Sequence, residues 1–164
     1  MNWKVLYTGS RQEKKLAHAL KAKGIEVYLP LYKRLSQWSD RKKWVEWPLF
    51  SGYLFIRPNE LQRDLALQEK AAIAYLRFNG KDAEVTEHEV ETIERMIQSG
   101  YSIEGFGDPN EFERGDRLMV MDGPLKGQEV EVIRRNKEEI FLVSFEGIAQ
   151  SIKINLPFQV LKKL

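Results

Sequence analysis

Cysteine is absent from this 164-residue chain, which excludes disulfides and thiolate metal sites and fits a cytoplasmic protein. Histidine is nearly absent too: His18 and His88 stand far apart with no carboxylates arranged around either, so no metal centre is expected. No apolar run approaches the ~18 to 20 residues that a membrane span requires, and no membrane partner is expected. Met1 leads directly into an alternating strand pattern, so no signal peptide is expected. Internal repeats and low-complexity tracts are missing. So are a nucleophile–base constellation, a phosphate-cradling glycine loop before a helix and a carboxylate cluster at metal spacing. Asp40 and Asp64 have nothing beyond their acidity to make them a nuclease pair. The expectation is a protein that is not an enzyme and needs no cofactor.

What the chain does have is ample apolar material, 43% hydrophobic and 11% aromatic, enough for one compact domain or two small ones. Its net charge of +2 hides an asymmetry. Residues 1–81 carry 16 Lys/Arg against 7 Asp/Glu, residues 82–131 carry 4 against 14, and residues 132–164 carry 6 against 3. A basic first half beside an acidic middle points to a charged partner, nucleic acid among them, on one side only.

Trp3 to Thr8 alternates apolar and polar positions and reads as a strand. Ser10-Arg11-Gln12-Glu13 has the form of a capping box opening a helix that Gly24 ends. At about 100° per residue, Leu16, Ala17, Ala19 and Leu20 centre on one side of it. Arg11, Lys14, Lys15, His18 and Lys21 centre on the other. Ile25–Leu29 is a strand. Residues 33–44 read as a long basic hairpin with Arg41, Lys42 and Lys43 at its tip and Trp38 and Trp44 nearby. Pro48–Ile56 reads as a central strand. Asn59 caps a helix through about Glu69, and Ile73–Phe78 is a strand closed by the Asn79-Gly80 turn. Thr86-Glu87-His88-Glu89 opens a last helix lined by Val90, Ile93, Met96 and Ile97, with Glu87, Glu89, Glu91 and Glu94 on its solvent side. The order is that of an antiparallel sheet carrying helices, an α+β class.

Glycines and a proline mark residues 100–111 as a linker. Beyond it the helical period gives way to five short strands, at 117–121, 128–134, 139–145, 149–154 and 159–162, which suit a small SH3-like barrel. The predicted domains are therefore 1–99 and 112–164, joined by 100–111. Four glycines over 115–147, Pro124 and many β-branched residues favour a barrel over a helical hairpin for this segment.

The run from Arg114 to Ile133 looks like a KOW motif: Gly115-Asp116, an apolar alternation, the Gly123-Pro124 turn, then Gly127 before a second strand. Trp3, the segment Gly24 to Pro30 and above all Pro48 to Ile56 resemble the NusG N-terminal domain, with its aromatic-Pro-Gly-Tyr-apolar signature. The whole chain is similar to the NusG family of transcription elongation factors, an N-terminal domain followed by a KOW barrel. The resemblance implies docking on the clamp helices of the largest RNA polymerase subunit through Phe50, Tyr53 and Phe55, with Phe78 and Ile93 as further members. Aromatic side chains make good anchors because each removes ~150–250 Å² from water with few rotors to freeze. It also implies that Arg11, Lys14, Lys15, His18 and Lys21 face the non-template DNA strand. From the sequence itself, Arg41, Lys42 and Lys43 at the hairpin tip, with Trp38 and Trp44 nearby, are expected to add charge and a stacking surface for nucleic acid.

The sequence departs from the housekeeping pattern in two places. Ser51 stands where the signature has proline. Glu146 and Ile148 flank Gly147 where the family carries an aromatic-Gly-Arg segment that contacts Rho or a small-subunit ribosomal protein. A specialised paralogue of the RfaH or UpxY type, controlling long polysaccharide operons, is the expectation. A ribosomal protein or another factor is the expected class of barrel partner, and the chain is expected to be a monomer. The alternative is a KOW-type RNA-binding or ribosome-associated protein. Residues 100–164 hold 9 Lys/Arg against 11 Asp/Glu, which argues against RNA as the barrel's ligand.

Overall fold

The computed structural model describes residues 2–38, 41–107, 115–135 and 138–164. The chain divides into two compact units, Met1–Glu87 and His88–Leu164. That division falls after the first residue of the last helix, whereas the sequence places the boundary at residue 99.

The first unit is built on β1 (Trp3–Thr8), α1 (Glu13–Ala22), β2 (Glu26–Tyr28), β3 (Leu31–Trp38), β4 (Arg41–Pro48), β5 (Tyr53–Arg57), α2 (Glu60–Leu67), β6 (Ala72–Tyr75), β7 (Arg77–Phe78), β8 (Lys81–Asp82) and β9 (Glu84–Val85). The main sheet runs β2-β5-β1-β6, with β9 also pairing β1. In the β1–β5 register Lys4 faces Ile56, Val5 Phe55, Leu6 Leu54 and Tyr7 Tyr53. Alternation therefore sends Leu6, Leu54 and Ile56 to one face and Val5, Tyr7, Tyr53 and Phe55 to the other. The first face forms a core with Leu16, Ala17 and Leu20 of α1, Ala66 of α2 and Tyr75. Each fully buried leucine there contributes roughly 1.5–3 kcal/mol.

Local signals account for most of the ends. Gly24, at φ +79°, closes α1 in a Schellman arrangement: its N–H reaches the Lys21 carbonyl, and that of Ile25 reaches the Leu20 carbonyl. Asn59 Oδ1 accepts the Gln62 N–H at 2.8 Å, while Gln62 Oε1 accepts the Asn59 N–H at 3.1 Å, completing a capping box. Asn79 and Gly80 both take positive φ, 51° and 77°, in the tight turn between β7 and β8.

Three expectations are corrected. The box predicted at Ser10 does not form: α1 starts at Glu13 after Gln12, with no side-chain cap, because Arg11 turns to φ +60°. The Glu13 carboxylate is buried and instead accepts the Gly52 N–H at 3.0 Å. The predicted strand Pro48–Ile56 breaks, since Pro48 ends β4 and Gly52, at φ +84°, turns the chain into β5. The predicted strand Ile73–Phe78 splits at Leu76, whose N–H goes to the Val5 carbonyl at 2.8 Å. The basic hairpin forms as its own two-stranded ribbon of β3 and β4, with Asp40 at its tip outside the described residues.

The second unit holds most of α3 (Glu87–Gln98) and the strands β10 (Ile103–Gly107), β11 (Arg117–Val120), β12 (Glu129–Arg135), β13 (Glu138–Phe145), β14 (Gln150–Ile154) and β15 (Leu161–Lys163). They pair in the order β10-β14-β13-β12-β11-β15, a small antiparallel barrel. Its buried side chains include Val120, Leu125, Phe141, Val143, Phe145, Ile152 and Ile154. β10 lies within the predicted linker and pairs β14; residues 108–111 of that linker and 112–114 of the predicted barrel lie outside the described residues. The Gly147 N–H donates to Glu89 Oε1 of α3 at 3.4 Å. Two glycines of the KOW turn are sterically required. A Cβ on Gly115 would stand 2.7 Å from the Val132 carbonyl oxygen, and Gly123 turns at φ +82°. Asp116 pairs with Lys163 at 3.3 Å, Gly127 turns at φ +89°, and Leu125, following Pro124, plugs the loop.

Candidate functional site

The aromatic face of the main sheet is a ladder. Trp3 and Tyr28 ring centroids lie 6.2 Å apart, Tyr28 and Phe55 6.3 Å, and Phe50 meets Phe55 edge-on at 5.6 Å. Tyr7 and Tyr53 form a further pair at 4.9 Å. Burial separates these rings. Phe50 and Phe55 are fully enclosed, whereas Tyr7 and Tyr53 are half-buried. Burial, with a hydrogen bond to Tyr7, pushes the Tyr53 hydroxyl up to about 12, so it is protonated at any physiological pH. Arg57 braces the ladder beside Trp3. Its guanidinium lies 4.3 Å from the Trp3 ring centroid and binds the Glu26 and Glu87 carboxylates, and that contact holds Glu26 below the usual carboxylate range.

The five residues predicted from sequence to dock polymerase thus separate. Tyr53 is half-buried, and Phe78 of β7 is 42% exposed. Phe50, Phe55 and Ile93 lie in the interior and are packed within it in this structure. The physical reason is sheet geometry: Tyr53 and Phe55 share a face, but Phe55 sits between β2 and β1 with Tyr28 and Val5 as cross-strand neighbours.

The basic residues divide as well. Arg11, Lys14, Lys15, His18 and Lys21 are all exposed; the last four follow the helical spacing of α1, whereas Arg11 precedes the helix. Lys14 reaches across and donates to the Glu46 carbonyl of β4 at 3.0 Å. Arg11 and Lys14 line a groove of about 250 Å³ with Val45, Trp47 and Pro48. Lys15 lines a separate groove of about 350 Å³ with Leu16, Ala19 and Ile73. At the far end of the ribbon Arg41, Lys42 and Lys43 are exposed. The first unit's ion pairs use Lys4, Lys23, Arg57, Arg63 and Arg77; among the described residues none uses Arg11, Lys14, Arg34, Arg41 or Lys43.

A family model described as NusG, "Transcription termination factor nusG", matches residues 1–94. The chain belongs to the NusG family. The family makes it a transcription elongation factor, in keeping with the antiparallel first unit and the KOW barrel. Among solved structures, one titled "Domain interaction in Thermotoga maritima NusG" aligns at 18% identity with a TM-score of 0.62, covering 99% of this chain and 97% of that one. Conformation A of the MjSpt4:Spt5 complex aligns at 16% identity over 99% of this chain and 97% of that one, at a TM-score of 0.33. No curated protein matches. Among the described residues no helix is long and apolar enough to cross a membrane, and no group of three or more His, Asp or Glu is placed to hold a metal ion.

Sequence reasoning missed three residues of these surfaces. Tyr7 pairs with Tyr53 through a strand register that no local pattern reveals. Arg34 lies 5.4 Å from the Trp47 ring centroid, a stack set by the ribbon register. Trp47 itself was legible: it stands at even spacing from Arg41 and Lys43 along one strand, which puts all three on one face.

Proposed function

We propose that this NusG-family chain acts in the cytoplasm as an antitermination factor that binds RNA polymerase through its first unit and suppresses pausing or termination. Tyr53 is the central anchor on the clamp helices of the largest subunit, with Tyr7 beside it and Phe78 as a further contact. Phe50 and Phe55 hold that surface from beneath. The observation that carries the reading is the half-buried Tyr7–Tyr53 pair, centroids 4.9 Å apart, on the sheet face whose Phe50 and Phe55 are fully buried. A partner helix pair that covers such rings gains apolar burial without paying to order them. The exposed cations of α1 and of the ribbon tip meet the non-template DNA strand, and the barrel recruits a further protein, a ribosomal protein or another factor.

The test is retention of bacterial RNA polymerase on the immobilised chain and on Tyr53→Ala. Tryptophan fluorescence serves as the folding control. Losing a hot-spot aromatic costs on the order of 2 kcal/mol, about 30-fold in affinity, so most bound polymerase disappears. Equal retention moves the docking surface elsewhere on the unit. No polymerase on either form favours the RNA-binding reading of the KOW barrel.

A further inference from the structure

Between β6 and β9 the chain makes a small excursion, the β7–β8 hairpin, which forms a two-stranded sheet of its own. Its ladder pairs Arg77 with Asp82 and Phe78 with Lys81. So short a hairpin is not stable by itself in water, and other contacts must set where it points. The backbone ties its base: the Leu76 N–H donates to the Val5 carbonyl and the Ala83 N–H to the Leu76 carbonyl, each at 2.8 Å. Directly opposed residues share a face, and successive pairs alternate. Arg77 and Asp82 therefore occupy one face of the hairpin, and Phe78 and Lys81 the other.

The Asp82 carboxylate fastens the first of these faces. Its side chain is 11% accessible and gathers cations from β1, α2 and β7. Arg63 of α2 donates to it through Nε at 3.0 Å and through Nη2 to both oxygens, at 3.1 and 2.9 Å. Arg77 Nε lies 3.3 Å away, and Lys4 Nζ of β1 3.9 Å. Arg63 is itself held: its guanidinium lies 4.6 Å from the Tyr75 ring centroid, and the Tyr75 hydroxyl donates to its carbonyl at 2.7 Å. Exposed ion pairs contribute little, but a forked arginine on a mostly buried carboxylate fixes direction as well as distance. The clamp thus grips the face opposite Phe78 and leaves that ring, 42% exposed, on the other side.

A ring on a loose hairpin loses affinity to the cost of ordering it on contact, and a ring already held does not. We propose that Asp82 is a positioning residue for polymerase docking: by fastening the β7–β8 hairpin to α2 and β1 it fixes Phe78 before the partner arrives. The inference rests on the polymerase reading given above, in which Phe78 is a contact, and adds the group on which that contact depends. Asp82 acts through Phe78, since its own carboxylate is covered.

The experiment is a double-mutant cycle on the full chain, with affinity for purified bacterial RNA polymerase read by surface plasmon resonance. Phe78→Ala is expected to weaken binding roughly tenfold and Asp82→Asn roughly fivefold, whereas adding Asp82→Asn to Phe78→Ala costs less than about twofold more. The lost charge is common to both backgrounds, so the cycle cancels any long-range electrostatic effect. Arg63→Lys keeps the charge but not the fork, and is expected to weaken binding roughly threefold, again only while Phe78 is present. Tryptophan fluorescence checks folding; should Asp82→Asn not fold, Arg63→Lys carries the cycle. An Asp82→Asn effect that is absent, or equal with and without the Phe78 ring, would overturn the inference while polymerase docking stands. Unchanged affinity for Phe78→Ala would do the same. Wild-type protein that binds no polymerase would remove the inference together with the reading it rests on.

Discussion

Replacing Glu13 with alanine is expected to loosen the turn that carries Tyr53. The carboxylate of Glu13 is buried and accepts the Gly52 N–H at 3.0 Å, and the Gly52 carbonyl in turn accepts the Thr8 N–H at 2.9 Å. Truncation leaves the Gly52 N–H without its charged acceptor, a loss of about 1.5–3 kcal/mol for a hydrogen bond to an ionised group. An acidic residue in the first turn of α1 adds about 0.3–1 kcal/mol, screened by salt. A total of about 2–4 kcal/mol, taken at its lower end, lowers the melting temperature of a unit this size by roughly 8–16 °C. All four tryptophans, Trp3, Trp38, Trp44 and Trp47, lie in the first unit, so intrinsic fluorescence follows its melting without interference from the barrel. Glu13→Gln keeps an acceptor oxygen and is expected to fall by less than half as much. An alanine variant melting within 2 °C of wild type, a cut-off set well below the expected shift, would refute the reasoning. So would a glutamine variant that falls equally far, since the hydrogen bond would then not be the source.

Gly115→Ala drives a methyl to 2.7 Å from Val132 and is expected to destabilise the barrel by about 1–3 kcal/mol, measured by loss of barrel amide signals in NMR at lower denaturant, with tryptophan fluorescence unchanged. Alkaline stability is expected to fall between the ordinary tyrosine value and about 12, because burial first of all raises both Tyr53 and Tyr75 to about 12. The folded hydroxyls hold their protons while the unfolded ones release them. Their contribution is therefore complete below the unfolded value and lost as pH rises through the folded one. Tyr53→Phe is expected to flatten the unfolding free energy over that window; an unchanged slope would contradict the assignment.

Element order, the Schellman end at Gly24, the Asn79-Gly80 turn and the tight KOW glycines are all legible in sequence, because each rests on a backbone need that few residue types meet. The Ser10 box is not, because its Glu13 finds a partner 39 residues away that local pattern cannot show. The docking residues are half legible. Alternation correctly puts Tyr53 and Phe55 on one face, yet it carries no information about depth within the sheet, which β2 and β1 decide. The cations of α1 could be read from helical spacing, whereas their division between two grooves depends on where β4 and β6 run.

The ribbon imposes a parity rule on change in this region. Because its two faces alternate residue by residue, adding or removing one residue between Lys43 and Trp47 would turn Arg41 and Lys43 away from Trp47 and carry their charge to the opposite side. Changes of two residues would lengthen or shorten the arm while preserving which face is basic. Reach and polarity of the arm can therefore vary independently only in even steps, and an odd step exchanges its faces.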